Sequence, residues 1–156
     1  DLYACRSDLG GGVLRTESHE IDMITLLFGH PKQIFSTGGC RGKFDLDIED
    51  SVNLLFDYSS FSVQMSLCFM QKKQERNLKL FGQKGWIEFD LINQKLVVCS
   101  YDNKDLEVYE DIVDNDELFK LQADYFLNKF TSRDYQYLDA LERNTTIIEK
   151  SLNSTH

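Results

Sequence analysis

The sequence predicts an α+β domain in which a mainly antiparallel, open sheet is packed on one face by helices. Two observations lead to this prediction. The middle of the chain carries short apolar segments with a period of two residues, separated by polar turns, which is typical of successive hairpins. Both ends of the chain instead carry apolar residues at helical steps. The order helix, strands, helices favours one layer of helices on one sheet.

The first helix is predicted between the glycines Gly10–Gly12 and Gly29. Its apolar residues recur at helical steps: Leu14, Ile21, Ile24 and Phe28. Gly29 and Pro31 are typical of a helix C-terminus, with proline just beyond the terminal glycine. Gly10–Gly12 lacks the G-x-G-x-x-G spacing of a dinucleotide-binding loop, so we expect these glycines to allow close backbone packing at the helix start.

Seven strands are predicted in the middle of the chain. They are Gln33–Ser36, Ser51–Asp57, Phe61–Phe69, Asn77–Phe81, Gly85–Asp90, Lys95–Ser100 and Leu106–Glu110. Every odd position of Phe61–Phe69 is large and apolar, which indicates one buried face. Successive hairpins favour an antiparallel sheet with one covered face. We expect the helix-free face to carry enough apolar residues for the domain to self-associate through it.

The last part of the chain is predicted to form two helices. Apolar residues of the first helix form one stripe: Leu118, Leu121, Tyr125 and Phe126. Acidic residues favour the N-terminus of that helix: Asp114, Asp116 and Glu117. The second helix begins near Tyr137 and carries Leu138, Leu141, Ile147, Ile148 and Leu152.

Composition limits the class of protein and its partners. The 156 residues suit one domain over 1–156, although a chain that begins with Asp1 is expected to start elsewhere in its native form. A net charge of −9 would repel a phosphate backbone, so nucleic acid is not an expected partner. No apolar run approaches the roughly 18 residues of a membrane span, and no signal peptide is recognisable. We therefore expect no membrane contact and a cytoplasmic location.

The four cysteines are widely spread and form no C-x-x-C pair: Cys5, Cys40, Cys68 and Cys99. Zinc sites favour close pairs of ligands, and disulfide frameworks occur mainly in small secreted chains. We therefore expect reduced thiols and no metal site.

His19 is the candidate for proton chemistry. Arg15 lies four residues before it and Asp22 three residues after it, so the three would share one face of a continuous helix. An imidazole oriented by a carboxylate suits proton transfer. The alternative is an ordinary helix histidine with an incidental ion pair, and spacing alone favours that alternative. The basic stretch Gln71–Arg76 either binds a phosphate or carboxylate, or is a solvated hairpin loop, which is the more frequent case.

Several stretches, in order along the chain, carry a resemblance to one family. Asp8–Leu14 contains the triple glycine, Ser18–Asp22 reads SHEID, and Leu27–Pro31 reads LFGHP. Asp47–Ser51 (DIEDS) and Leu80–Asp90 (LFGQKGWIEFD) continue the pattern, and Tyr137–Leu141 is similar to a last helix. The pattern resembles the C-terminal domain of the glucose–fructose oxidoreductase/inositol dehydrogenase/rhizopine catabolism (Gfo/Idh/MocA) family.

The resemblance implies a preceding Rossmann domain, absent from this chain, that binds NAD or NADP and carries a catalytic lysine. The present domain would then form one wall of the substrate pocket and offer a sheet face for a homodimer or larger oligomer. His19 matches the family histidine that assists proton transfer, and Asp22 matches an aspartate that is more often structural. Arg15 departs from the family pattern and would bind an anionic group of a sugar. Asp22 and Arg76 are the further candidates for substrate binding.

Two functions follow from this sequence. The first is the substrate-binding and assembly domain of an NAD(P)-dependent oxidoreductase acting on a sugar, nucleotide sugar or cyclitol, with no activity in the isolated chain. The second is a non-catalytic ligand-binding or dimerisation module. NAD and NADP both stay open, because the residues that select between them belong to the nucleotide-binding domain.

Overall fold

The computed structural model describes residues 3–42, 46–102, 105–110, 114–133 and 137–154. The helices are α1 (Val13–Thr16), α2 (Ser18–Phe28), α3 (Asn115–Ser132) and α4 (Tyr137–Asn153). The strands are β1 (Gln33–Gly39), β2 (Ser51–Asp57), β3 (Ser62–Cys68), β4 (Asn77–Phe81), β5 (Gly85–Asp90), β6 (Lys95–Ser100) and β7 (Leu106–Tyr109). Two short 3-10 turns, Tyr3–Cys5 and Ser7–Leu9, precede α1.

The chain divides into two compact units. Unit 1 comprises Asp1–Met70 with Gln136–His156, and unit 2 comprises Gln71–Tyr135. Unit 1 contains sheet A, in which β2 pairs with both β1 and β3. Unit 2 contains sheet B, in the order β4-β5-β6-β7. All pairs are antiparallel, which confirms the α+β class and the predicted hairpins.

The strands form two sheets, whereas the sequence predicted one. Sheet A ends at β3 and sheet B begins at β4. The stretch that separates them, Gln71–Glu75, is polar and exposed, and it has no alternation of apolar residues that would extend a strand through it.

The core of unit 1 lies between sheet A and the helices. Strand β2 alternates strictly, with its even-numbered apolar residues fully or almost fully buried. The buried apolar residues of the unit are Val13, Leu14, Ile21, Ile24, Ile48, Val52, Leu54, Phe56, Leu67 and Ile147. Helices α1 and α4 both contact sheet A, so the predicted layer of helices on one sheet face is present here.

The other face of sheet A is mostly polar. One cross-strand row across it is Thr37–Asn53–Ser66, and the next is Phe35–Leu55–Gln64. Only Phe35 and Leu55 in these rows are large and apolar. Sheet A thus offers few apolar side chains for the self-association expected of a helix-free face, because the outward positions of its strands are largely polar.

Sheet B differs because both of its faces carry apolar residues. One row is Leu78–Phe89–Leu96–Tyr109, and a row on the opposite face is Phe81–Trp86–Cys99–Leu106. Among the described residues of unit 2, none is buried. The apolar side chains of sheet B are thus only partly covered in the single chain.

Helix α3 is where the sequence predicted it, and the side chain of Asp114 caps it by accepting a hydrogen bond from the backbone of Asp116 at 2.9 Å. The predicted apolar stripe is present but exposed. Leu118 is 47% exposed and Phe119 is 67% exposed, and the other large apolar side chains of α3 fall between these values.

The first predicted helix is interrupted. It consists of α1 and α2, separated by Glu17 with φ −98° and ψ 24°. The prediction of one continuous helix is wrong at this point. Thr16 and Ser18 flank the break, and both residue types have a lower helix propensity than alanine or leucine. The predicted C-terminal end of the helix at Gly29 is confirmed. Gly29 adopts φ 76°, and its N–H donates to the carbonyl oxygen of Thr25 at 2.8 Å.

Two further expectations concern the whole chain. The four cysteines are free, as predicted. In the described ranges, every helix is too short or too polar to cross a membrane.

Candidate functional site

His19 lies in the first turn of α2, between two carboxylates. Its Nε2 atom is 3.2 Å from an oxygen of Glu17 and 3.2 Å from an oxygen of Glu20. About half of the imidazole is exposed, whereas Glu20 is largely covered. The ring can therefore exchange a proton with a ligand while a carboxylate partner stays close.

The carboxylates beside His19 are those of Glu17 and Glu20, which the helical spacing did not suggest. Arg15 donates to the carbonyl of Gly11 and is separated from His19 by the break at Glu17, whereas Asp22 lies on α2 with His19 and accepts from Asn144. The available signal was the local order Glu17-Ser18-His19-Glu20, in which two acidic residues flank the histidine.

The same three side chains could hold a metal ion. The ligand atoms of Glu17, His19 and Glu20 all lie within 4.8 Å of one another. Nitrogen and carboxylate oxygen donors suit zinc. Exposed acidic groups also gather in this way without a metal, and the absence of a metal site stays a prediction.

Asp22 connects two helices of unit 1. Its carboxylate Oδ1 accepts a hydrogen bond from Nδ2 of Asn144 on α4, at 2.7 Å. Asn144 is only 7% exposed. This bond fits the structural role that the family resemblance implies for Asp22, and it leaves substrate binding by Asp22 as a prediction.

Arg15 lines a cavity of about 960 Å³ in unit 1. Its Nη1 atom donates to the carbonyl of Gly11 at 3.2 Å. Arg41 also lines this cavity, and its Nη2 atom donates to the carbonyl of Gly38 at 2.9 Å. We call this space the arginine cavity. Ser7, Asp47 and Glu149 lie on its wall as well.

A buried carboxylate holds the backbone beside Arg41. Asp50 is fully buried and accepts hydrogen bonds from the backbone N–H groups of Arg41 at 2.8 Å and Gly42 at 2.7 Å. Arg41 was not among the candidate site residues predicted from the sequence. The contact joins residues nine positions apart through a loop, so residue spacing carried no signal for it.

The triple glycine serves backbone packing. Leu14 donates its N–H to Oε1 of Glu49 at 3.1 Å, and Val13 donates to the carbonyl of Glu49 at 3.0 Å. Gly12 has φ 116°, and a Cβ there would lie 2.3 Å from a Glu49 oxygen. The start of α1 is therefore occupied by a carboxylate of the protein, as the close-packing interpretation of Gly10–Gly12 predicted.

Arg76 belongs to unit 2. Its side chain is half-buried, and its carbonyl accepts the N–H of Leu91 at 2.9 Å. The structure thus brings Arg15, His19 and Asp22 into unit 1 and places Arg76 in the other unit. Substrate binding by Arg76 stays a prediction.

Solved structures share this fold. A UDP-N-acetylglucosamine 3-dehydrogenase from Acidithiobacillus ferrooxidans superposes with a TM-score of 0.72 at 17% identity, over 88% of this chain and 45% of that one. A Desulfitobacterium hafniense protein assigned as an NADPH-dependent oxidoreductase gives a TM-score of 0.75 at 13% identity, over 94% of this chain and 46% of that one. The chain thus spans less than half the length of either protein.

Sequence comparison identifies the family. No curated protein matches the chain. The model of the GFO/IDH/MocA C-terminal domain matches residues 3–88, more than half of the chain, and covers the triple glycine, the SHEID segment and all of β1 to β4. The chain therefore belongs to the GFO/IDH/MocA C-terminal domain family of oxidoreductases.

Proposed function

We propose that the chain is the substrate-binding and assembly domain of an NAD- or NADP-dependent oxidoreductase that acts on a sugar, a nucleotide sugar or a cyclitol. The observation that supports this most is His19, half-exposed between two carboxylates in a domain of an oxidoreductase family. The nicotinamide, which would take up or give the hydride, belongs to a nucleotide-binding domain outside this chain.

In this proposal His19 moves the proton of the substrate hydroxyl. Oxidation of an alcohol carbon removes a hydride from carbon and a proton from oxygen. With its own proton on Nε2, beside Glu17 and Glu20, the imidazole offers Nδ1 as the acceptor for the hydroxyl proton. The two carboxylates then stabilise the imidazolium that forms, and reduction runs the same path in reverse.

Replacing His19 tests the proton role in the full-length protein. Because general acid–base groups contribute about 10²- to 10⁴-fold, we expect His19→Ala to lower kcat by about that factor while the fold is kept. His30→Ala, which replaces a histidine beyond the end of α2, is the matched control. An unchanged kcat for His19→Ala would remove His19 from the proton path.

The isolated chain should have no dehydrogenase activity. No segment of it has the G-x-G-x-x-G pattern of a nicotinamide dinucleotide site. We expect the absorbance of NADH or NADPH to stay constant when the chain is mixed with either cofactor and sugars. Steady turnover by the purified chain would contradict this assignment.

A non-catalytic binding or dimerisation module is the second candidate. The apolar residues on both faces of sheet B favour a role in assembly. The two candidates differ in their response to His19→Ala, because a module of this kind has no turnover to lose.

A further inference from the structure

We propose that the arginine cavity binds a ligand through a carboxylate or phosphoryl group, with Arg15 and Arg41 as its cationic contacts. This inference rests on the proposed function in one respect. If the chain belongs to an oxidoreductase of sugars, the ligand bound in the arginine cavity is its substrate, an anionic sugar derivative. Binding itself can be measured without any turnover.

Most N–H donors of the two guanidinium groups form no hydrogen bond within the described part of the chain. A guanidinium carries five N–H donors, and Arg15 and Arg41 each give one hydrogen bond to a backbone carbonyl. Within the described ranges, neither forms an ion pair with a carboxylate of the chain. Guanidinium groups match the planar, two-oxygen geometry of carboxylate and phosphoryl groups.

Two of the three acidic residues on the cavity wall already accept hydrogen bonds from the chain. Asp47 accepts them from the backbone N–H and the hydroxyl of Ser7, and the hydroxyl contact is the main cause that lowers the pKa of Asp47 and keeps it ionised. Glu49 accepts the N–H of Leu14. Glu149 is the third acidic residue on the wall, and its exposure to solvent screens its charge. Direct contact with the two guanidinium groups, and not the net charge of the wall, would therefore attract the anion.

The loop that carries Arg41 is held in place before any ligand arrives. Asp50 is fully buried and uses both carboxylate oxygens on the N–H groups of Arg41 and Gly42. Burying a charged group is favourable only with such hydrogen bonds. Next to this loop, a Cβ at Gly38 would lie 2.3 Å from the carbonyl of Ser51, so β1 and β2 approach closely there. A contact on a fixed loop loses little conformational entropy on binding.

The size of the cavity suits a whole small molecule. Its volume of about 960 Å³ lies within the usual range of ligand sites, about 300–1,000 Å³. A sugar acid would offer a carboxylate, and a sugar phosphate or nucleotide sugar would offer phosphoryl oxygens. Both share the same recognition chemistry.

Titration calorimetry on the full-length protein tests the proposal and separates the two sources. The probes are glucuronate for the carboxylate, glucose 1-phosphate and UDP for the phosphoryl group, and glucose as the neutral control. Since a hydrogen bond to a charged group contributes about 1.5–3 kcal/mol, we expect Arg15→Gln and Arg41→Gln each to weaken binding of the preferred anion about 10- to 100-fold. Arg143→Gln, at an exposed arginine of α4 that bonds to the carbonyl of Asp139, should leave it unchanged.

The outcomes are distinct. Saturable binding of one anion, lost in both cavity variants, supports the proposal. Binding of no anionic probe, or equal affinities of the wild type and the variants, overturns it. Turnover of a neutral sugar without anion binding would overturn this inference and keep the proposed function. Anion binding by a protein that turns over no sugar would support this inference and contradict the proposed function.

Discussion

At the level of single residues, hydrogen bonds to buried groups organise unit 1. Asn144 donates to Asp22 across two helices, yet its own Oδ1 atom has no partner among the described residues. The bond to Asp22 is therefore the hydrogen bond on which the buried Asn144 side chain depends. Losing it would leave buried polar atoms without hydrogen bonds, which lowers stability.

We therefore expect Asn144→Ala to lower the free energy of unfolding by about 1–3 kcal/mol, the cost of removing one partner of a buried hydrogen bond. Thr145→Ala, at the next and exposed position of α4, is the control and should change little. Urea denaturation followed by circular dichroism measures both. Equal midpoints for the two variants would show that the Asp22–Asn144 bond does not stabilise the fold.

His30 should make stability depend on pH. Its pKa is lowered, chiefly by burial and also by the charge of Arg143. The unfolded chain, with a histidine pKa of about 6.5, then binds a proton more readily than the folded one. The contribution of neutral His30 to the free energy of unfolding is thus fully present above about pH 6.5. It is lost as the pH falls below that value, because the unfolded chain then gains a proton more readily. We expect His30→Gln to reduce the decrease in melting temperature between pH 7 and pH 5, and a decrease identical to that of the wild type would argue against this linkage.

Only some of the candidate site residues could be selected from the sequence. His19, Arg15 and Asp22 could be selected because they lie close together in one segment that resembles a family motif. Arg41 could not, since it reaches the arginine cavity through a turn held by Asp50. A contact of this kind depends on tertiary structure and leaves no periodic pattern.

At the level of elements, the short helix α1 depends on two different properties of glycine. Gly12 needs both its positive φ and its missing Cβ, whereas Gly10 has a positive φ of 77° but open space around it. Gly12→Ala should therefore be the more destabilising. The φ of 116° and ψ of 150° at Gly12 lie in a region almost confined to glycine, and the new Cβ would also meet the buried carboxylate of Glu49.

Thermal unfolding of the two alanine variants measures this difference. Gly10→Ala carries only the strain of a left-handed residue, about 1–2 kcal/mol, and serves as the control. A melting temperature for Gly12→Ala at or above that of Gly10→Ala would show that neither the backbone conformation of Gly12 nor its contact with Glu49 excludes a side chain there.

The limits of the strands were predicted better than the continuity of the first helix and the burial of the α3 stripe. Strand β2 agrees with its predicted limits because its alternation is complete. Strand β1 extends beyond the predicted Ser36 to Gly39, since glycines without side chains fit the close approach to β2. The position of α3 followed from its periodicity, but periodicity does not tell whether another surface covers the stripe.

At the level of the whole molecule, the two units differ in how completely they bury apolar side chains. All buried residues in the described part of the chain lie in unit 1, and the exposed apolar residues of sheet B and α3 lie in unit 2. Large apolar surfaces of this kind usually mark contacts with another protein surface. We infer that sheet B takes part in self-association, as the sequence analysis expected of a sheet face.

Sedimentation velocity over a range of concentrations tests this inference. Phe81 is 76% exposed on sheet B, so Phe81→Lys should weaken self-association about tenfold or more, because a charge would be buried in the contact. Phe35→Lys, at a 54% exposed position on the mostly polar face of sheet A, is the control and should leave association unchanged. A wild-type chain that stays monomeric at high concentration would rule out the contact.

The concentration of buried residues in unit 1 also determines which parts of the free chain open first. Backbone amides exchange with deuterium through local opening, whose cost rises with the burial of the surrounding side chains. The amides of β2, the central strand of sheet A, should stay protected the longest. Those of β7, an edge strand whose four residues are all exposed, should exchange early. Deuterium uptake would then trace the two units along the sequence, with slow peptides up to about Met70, fast peptides up to about Tyr135, and slow peptides again in α4.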